Sequence, residues 1–184
     1  MPTASNVMVG KPKATGAVYR APLGTACPTD STTALATAFV EQGYCSEDGM
    51  TNSNSPSSEN IKAWGGDLVY TYQSEKPDNF SFTLIESGNA EVLKTVYGDD
   101  NVTGDMTNGL TVKANAKELP ESVWVIEMVR RDGGPHRIVI PSGKIAEIGE
   151  ITYSDTEAIG YAITLSCTPD SAGNTHYEYM KAAS

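Results

Sequence analysis

The chain has little of what reactive sites are built from. Two histidines, His136 and His176, lie far apart, and three cysteines, Cys27, Cys45 and Cys167, are scattered along the length. Three is too few and too odd for a disulfide framework, and it suits a reducing compartment better than secretion. No C-x-x-C or H-x-x-x-H pair occurs, so the closely spaced ligands of a zinc site are missing. No G-x-S-x-G elbow supplies a nucleophile beside a poised histidine. Gly65-Gly66 and Gly133-Gly134 are turn pairs that fit neither the P-loop nor the dinucleotide fingerprint. Asp99-Asp-Asn-Val-Thr-Gly104 begins like a calcium loop, but its twelfth position is Leu110, where a bidentate Glu is needed. The expectation is a protein with no catalytic residue, no cofactor and no metal.

Basic charge is scarce too. Against 13 Lys and Arg stand 23 Asp and Glu, a net charge of −10. Affinity for DNA comes largely from cations that neutralise phosphates, so specific nucleic-acid binding is not expected. Nothing approaches the ~20 consecutive apolar residues of a membrane span. Met1 to Lys13 offers no apolar run for a signal peptide. These absences point to a soluble protein made in the cytosol, with no membrane partner.

What is present is a turn-rich β pattern. Hydrophobic residues make up 39% of the 184, with 17 Gly and 10 Pro. They fall in short runs between Gly, Pro, Asn, Asp and Ser, the pattern of a single mainly-β domain. Leu68, Tyr70 and Tyr72 alternate with Val69, Thr71 and Gln73, and Phe80, Phe82 and Leu84 with Ser81, Thr83 and Ile85. Period two marks half-buried strands with one wetter face, and Pro77-Asp78 between them predicts that the two pair as a hairpin. Ser122–Arg130 and His136–Ile140 flank a tight turn at Asp132–Pro135. Lys144–Tyr153 and Ala158–Cys167 read as a further pair, with edge strands near Leu110–Lys113 and Thr175–Met180. Arg130, Arg131 and Arg137, the densest basic cluster, suggest ion pairing across the hairpin or at an interface.

Helices are few. Asn89 caps a short one that places Val92, Leu93, Val96 and Tyr97 on one side and stops at Gly98. It is too short to stand alone and must dock on a sheet. A second helix is predicted over Asp30–Val40, with Leu35 and Phe39 on one face, although its threonines oppose it. Residues 51–59 read as a mobile polar loop. Residues 1–29 hold three basic residues and no acid, which leaves about −13 on the remainder. They read as an extended N-terminal arm that can find complementary charge on a second copy. Trp64, Trp124, Tyr70, Phe80 and Phe82 are expected in the core.

Several segments, in order, carry a resemblance: Gly10–Pro22, Gly43–Gly49, Ile61-Lys-Ala-Trp-Gly-Gly-Asp67, Phe80–Glu86, Asn89–Gly98, Asp99–Val102 and Glu147–Tyr153. Together they resemble the major tail (tail tube) proteins of siphovirus-type, long non-contractile tailed bacteriophages, over nearly the whole chain. The resemblance implies an antiparallel β-sandwich or partial barrel with one short flanking α-helix. It also implies hexameric rings stacked into a tube that delivers DNA, in a virion tail assembled in the host bacterial cytoplasm. The partners it implies are other copies of the chain and further tail proteins: tape measure, tail terminator and distal tail. DNA would pass through the lumen without being held, which an acidic or neutral lining favours. The candidate lumen-lining residues are Thr71, Gln73, Ser81 and Thr83, with Glu147 and Glu150. Lys11, Lys13, Tyr19 and Arg20 are candidates for an arm between rings. The competing reading is a non-enzymatic β-sandwich binding module of adhesin or carbohydrate-binding type.

Overall fold

The computed structural model describes residues 7–13 and 16–183. In chain order the strands are β1 (Lys11–Pro12), β2 (Val18–Pro22), β3 (Val40–Glu41), β4 (Cys45–Ser53), β5 (Ser57–Lys62), β6 (Leu68–Glu75) and β7 (Asn79–Leu84). The helix α1 (Ala90–Tyr97) follows, then a 3-10 turn at Asp99–Asn101. The chain continues with β8 (Val102–Asp105), β9 (Gly109–Val112), β10 (Ser122–Val129), β11 (Pro135–Ile148), β12 (Tyr161–Cys167) and β13 (Tyr177–Met180).

One nine-stranded antiparallel sheet carries the fold, in the order β3-β2-β10-β11-β12-β7-β4, with β1 added to β10 and β13 to β11. Two small hairpins, β5-β6 and β8-β9, stand apart from it. β11 is the hinge of the arrangement. Its first half lies between β10 and β13, and from Gly143 onward its partner becomes β12. At that change of partner the indole of Trp124 donates to the Gly143 carbonyl at 3.1 Å. A Cβ on Gly143 would sit 2.9 Å from Trp124 Cδ1 and 3.2 Å from Ile140 Cγ2. Glycine therefore lets the indole lie flat on the strand where the sheet turns.

The turn folds the sheet over the larger of two core clusters. Val18, Trp124, Ile126, Ile138 and Ile140 come from one half, and Phe80, Phe82, Leu84, Tyr161, Ile163 and Leu165 from the other. Phe82 and Trp124 meet edge to face across it at 6.2 Å. No sheet closes into a barrel among the described residues.

The helix at Asn89 forms as its sequence dictates. The Asn89 side chain accepts from the Glu91 amide, Gly98 takes a positive φ after the last turn, and Val92, Leu93 and Val96 enter the core. Asp30–Val40 does not form a helix. The Asp30 carboxylate instead accepts from the Thr32 and Thr33 amides, both at 2.6 Å, a local turn that competes with helical bonding. Arg137 then donates to the Asp30 and Thr33 carbonyls. The segment lies as a cover over the outer face of β2-β10-β11, where Phe39 and Leu35 meet Ala21, Val123, Val125 and Val139. Ser122–Glu127 is thus buried on both faces. The buried Arg137 also pairs with Glu127 across the hairpin, whereas Arg130 pairs with Asp132 inside the turn, so of the three arginines Arg137 makes the expected cross-strand pair.

Three further expectations change. β6 pairs with β5 rather than β7, while β7 runs between β12 and β4. Because β5 is drawn from the supposed loop, residues 51–59 are mostly strand, since backbone pairing does not need apolar side chains. Residues 1–29 are not one arm, for Val18 and Ala21 of β2 are core residues; residues 1–6 and 14–15 lie outside the described residues.

Gly143→Ala is expected to cost about 1–3 kcal/mol, because the buried indole has no room to give. Thermal unfolding should show a Tm several degrees lower, with an altered near-UV signal from Trp124. An unchanged Tm would contradict the packing described.

Candidate functional site

The outer face of β11, β12, β7 and β4 is built almost wholly of small polar side chains. Register places Glu147, Thr164, Ser81 and Thr51 in one row across the four strands. The Ser81 and Thr164 hydroxyls bond at 3.0 Å. Thr83 and Ala162 form the next row, and Asn79, Ser166 and Lys144 the row on the other side. Lys144 is tied to Glu118, which leaves Glu147 and Asp48 as the charges lining the shallow hollow of about 270 Å³ on this face. The period-two rule causes the arrangement: Phe80, Phe82 and Leu84 turn inward, so Ser81 and Thr83 must turn out.

Of the lumen candidates, then, Ser81, Thr83 and Glu147 share one wet face, and Glu150 lies exposed in the loop that leaves it. Thr71 and Gln73 do not join them. They sit on β6 in the separate hairpin, where Thr71 donates to Asn60 at 2.7 Å. Thr51 and Thr164 were missed. Thr164 was legible from the alternation Tyr161-Ala-Ile-Thr-Leu165, but Thr51 was hidden in a segment with no apolar partners to mark it as strand.

The β5-β6 hairpin is the second notable surface. Every residue from Ser57 to Glu75 is exposed, so neither face packs on the body. Ile61, Leu68, Tyr70 and Tyr72 share one side by register and alternation, with the Tyr70 and Tyr72 rings stacked at 6.3 Å. Trp64 stands at the tip, fully exposed at 105% relative accessibility, beside Gly65 and Gly66, which both take positive φ. Trp64 and Tyr70 are therefore not core residues, unlike Trp124, Phe80 and Phe82. A tryptophan just before Gly-Gly between two strands is a turn tip, and that signal was available. An isolated two-stranded hairpin is marginal in water, and an apolar stripe of this kind marks an interaction surface.

The sequence profile of the family described as "Phage tail tube protein" matches residues 3–183. The chain belongs to that family. No curated protein matches it.

The arm candidates of this tail tube family member divide between body and periphery. Arg20 Nη1 and Nη2 grip the Asp99 carboxylate, both at 3.1 Å, and its other bonds go to Ser122 and Thr95. It clamps the end of α1 to the sheet and does not reach outward. Tyr19 lies in β2 opposite Val125 and packs on the second core cluster. Lys13 pairs with Glu127 at 2.5 Å, and Lys11 is exposed in β1 at the edge of β10. Burial opposes the charge on Glu127, but the bonds and charges of Lys13 and Arg137 outweigh it and hold the carboxyl below its ordinary value.

Titratable groups elsewhere serve structure. The buried Asp78 accepts from Asn52 at 2.7 Å, from Thr175 at 2.5 Å and meets His176 Nδ1 at 2.5 Å. Burial would raise the Asp78 carboxyl, yet these hydrogen bonds prevail and lower it. Cys167 lies near this His-Asp pair, but burial, reinforced by the Asp78 charge, pushes its thiol up to about 12. Burial takes Cys45 to about 11 and, with Asp170, raises Cys27. Reactive cysteines need the opposite shift. Among the described residues no three His, Cys, Asp or Glu side chains gather to hold a metal.

A carboxyl whose folded value is depressed stabilises the protein above its unfolded value, near 3.8, and loses that stabilisation as pH falls through the folded value. Asp78→Asn should therefore lower stability by about 1–3 kcal/mol at pH 6. The gap to the parent protein should narrow by pH 3 in chemical unfolding. A gap that stays constant with pH would contradict the role given to Asp78.

Proposed function

We propose that this chain polymerises as stacked hexameric rings into the tail tube of a long-tailed phage and forms the conduit for DNA. The observation that carries the reading is the β5-β6 hairpin, an ordered element with an apolar stripe that its own subunit leaves uncovered. A second copy is the partner that a repeating tube would supply. Family membership supports a virion context and a structural role. Assembly in the host cytoplasm, with tape measure, tail terminator and distal tail proteins as neighbours, completes the reading.

In this reading the wet face of β11-β12-β7-β4 lines the lumen. Ser81, Thr83, Thr51 and Thr164 present hydroxyls, and Glu147 adds negative charge, so passing DNA meets no row of cations. Lys11 remains the arm candidate best placed to reach a neighbour. One observation favours the competing binding module: Tyr70, Tyr72 and Trp64 are exposed aromatics of the kind that stack on sugars.

Purified protein should form rings or tubes in negative-stain micrographs as its concentration rises. A variant with residues 57–75 replaced by a Gly-Ser linker should remain monomeric, with a Tm close to that of the parent, because the hairpin adds nothing to either core cluster. A parent protein that stays monomeric at all concentrations and binds oligosaccharide would establish the module instead.

A further inference from the structure

Where the curled sheet stays open, its two ends face each other across a groove of about 670 Å³. Val18 and Ile126 are buried lining residues, shared with the main core. Met128, Met50 and Cys45 are its partly buried apolar walls. The volume lies in the range of cavities that enclose a drug-sized ring system. Unbranched methionine side chains let such a wall fit an incoming aromatic closely.

Charge around the groove is one-sided. Glu47 and Asp48 line it as exposed residues, and neither has a cationic partner among the described residues. Lys13, the one base lining the groove among the described residues, is held by Glu127. The hairpin tip carries one cation of opposite sign, Lys62, on the turn that Asp67 closes. Lys62 stands two residues before Trp64, exposed and without an ion-pair partner among the described residues. A fully exposed indole beside an unpaired cation thus matches an apolar groove beside unpaired carboxylates.

We propose that the hairpin tip of one copy seats in this groove of a second copy, with Trp64 against Met50 and Met128 and Lys62 against Glu47 and Asp48. The inference rests on the tube-assembly reading and gives that reading its donor and acceptor surfaces. The two surfaces differ, so the contact is heterologous. Each subunit donates to one neighbour and accepts from another, and the contact repeats without using up either surface. Buried aromatic anchors with a charged rim are where interface energy concentrates.

The test uses the full chain. Benzoylphenylalanine at position 64, irradiated after assembly in a mixture of ¹⁵N-labelled and unlabelled protein, should yield adducts between copies at Met50 or Met128. Trp64→Ala should raise the concentration needed for assembly by about thirtyfold. Glu47→Lys with Asp48→Lys should also weaken assembly, most at low salt, and Lys62→Glu added to that pair should restore it. The substituted positions 47, 48, 62 and 64 are all exposed, so the monomer Tm should hold throughout. Adducts confined to one chain or to the wet sheet face would overturn the proposal, as would Trp64→Ala protein that assembles normally, while leaving tube formation intact. A parent protein that never assembles would overturn the tube reading along with it.

Discussion

The fold depends on one contact, the indole of Trp124 against the backbone at Gly143. There β11 leaves one set of partners for another, and the sheet turns over its own core. Larger side chains at position 143 would press the strand away from the ring. The main core, from Phe82 on one side to α1 on the other, is arranged about that corner. The second constraint is the two-faced burial of β10, which needs a cover on its far side. Arg137 supplies the attachment by joining Glu127 beneath to the carbonyls of residues 30 and 33 above.

Turning without closing leaves three unlike surfaces. One sheet face is wet and lined mostly by hydroxyls, because each inward aromatic or aliphatic on β7 and β12 forces a small neighbour outward, polar at every such position but Ala162. The open seam leaves an apolar groove with acidic edges. The chain between β4 and β7 leaves the body altogether as a hairpin with an aromatic tip. A lone subunit gains nothing from exposing Trp64, Leu68 and Tyr70, and a subunit in a lattice of copies can bury them all.

Much of this was legible in the residues, and the failures have physical causes. α1 was readable to its caps because capping chemistry is local: Asn89 and Gly98 act on amides and carbonyls within one turn. The hairpin of β10 and β11 was readable from two apolar runs about a tight turn. The partner of β6 was not, since strand pairing is non-local and β5, Ser-Ser-Glu-Asn-Ile-Lys, has almost no apolar signature. Asp30 looked like a helix cap because an aspartate that opens a turn and one that opens a helix offer the same oxygen to the same amides. The wet face was half visible. Alternation exposed Ser81 and Thr83, but only cross-strand register could add Thr51 and Thr164 and set Thr71 and Gln73 aside.

If the free hairpin joins the subunits, it must be buried when copies of the chain meet. Hydrogen exchange of the backbone amides in residues 57–75, compared between dilute monomer and assembled protein, measures this directly. The hairpin amides should exchange rapidly in the monomer, where two strands stand alone, and become strongly protected on assembly. Core amides of β10 should be protected in both states. Equal exchange of the hairpin in the two states would mean that it is not what joins the subunits.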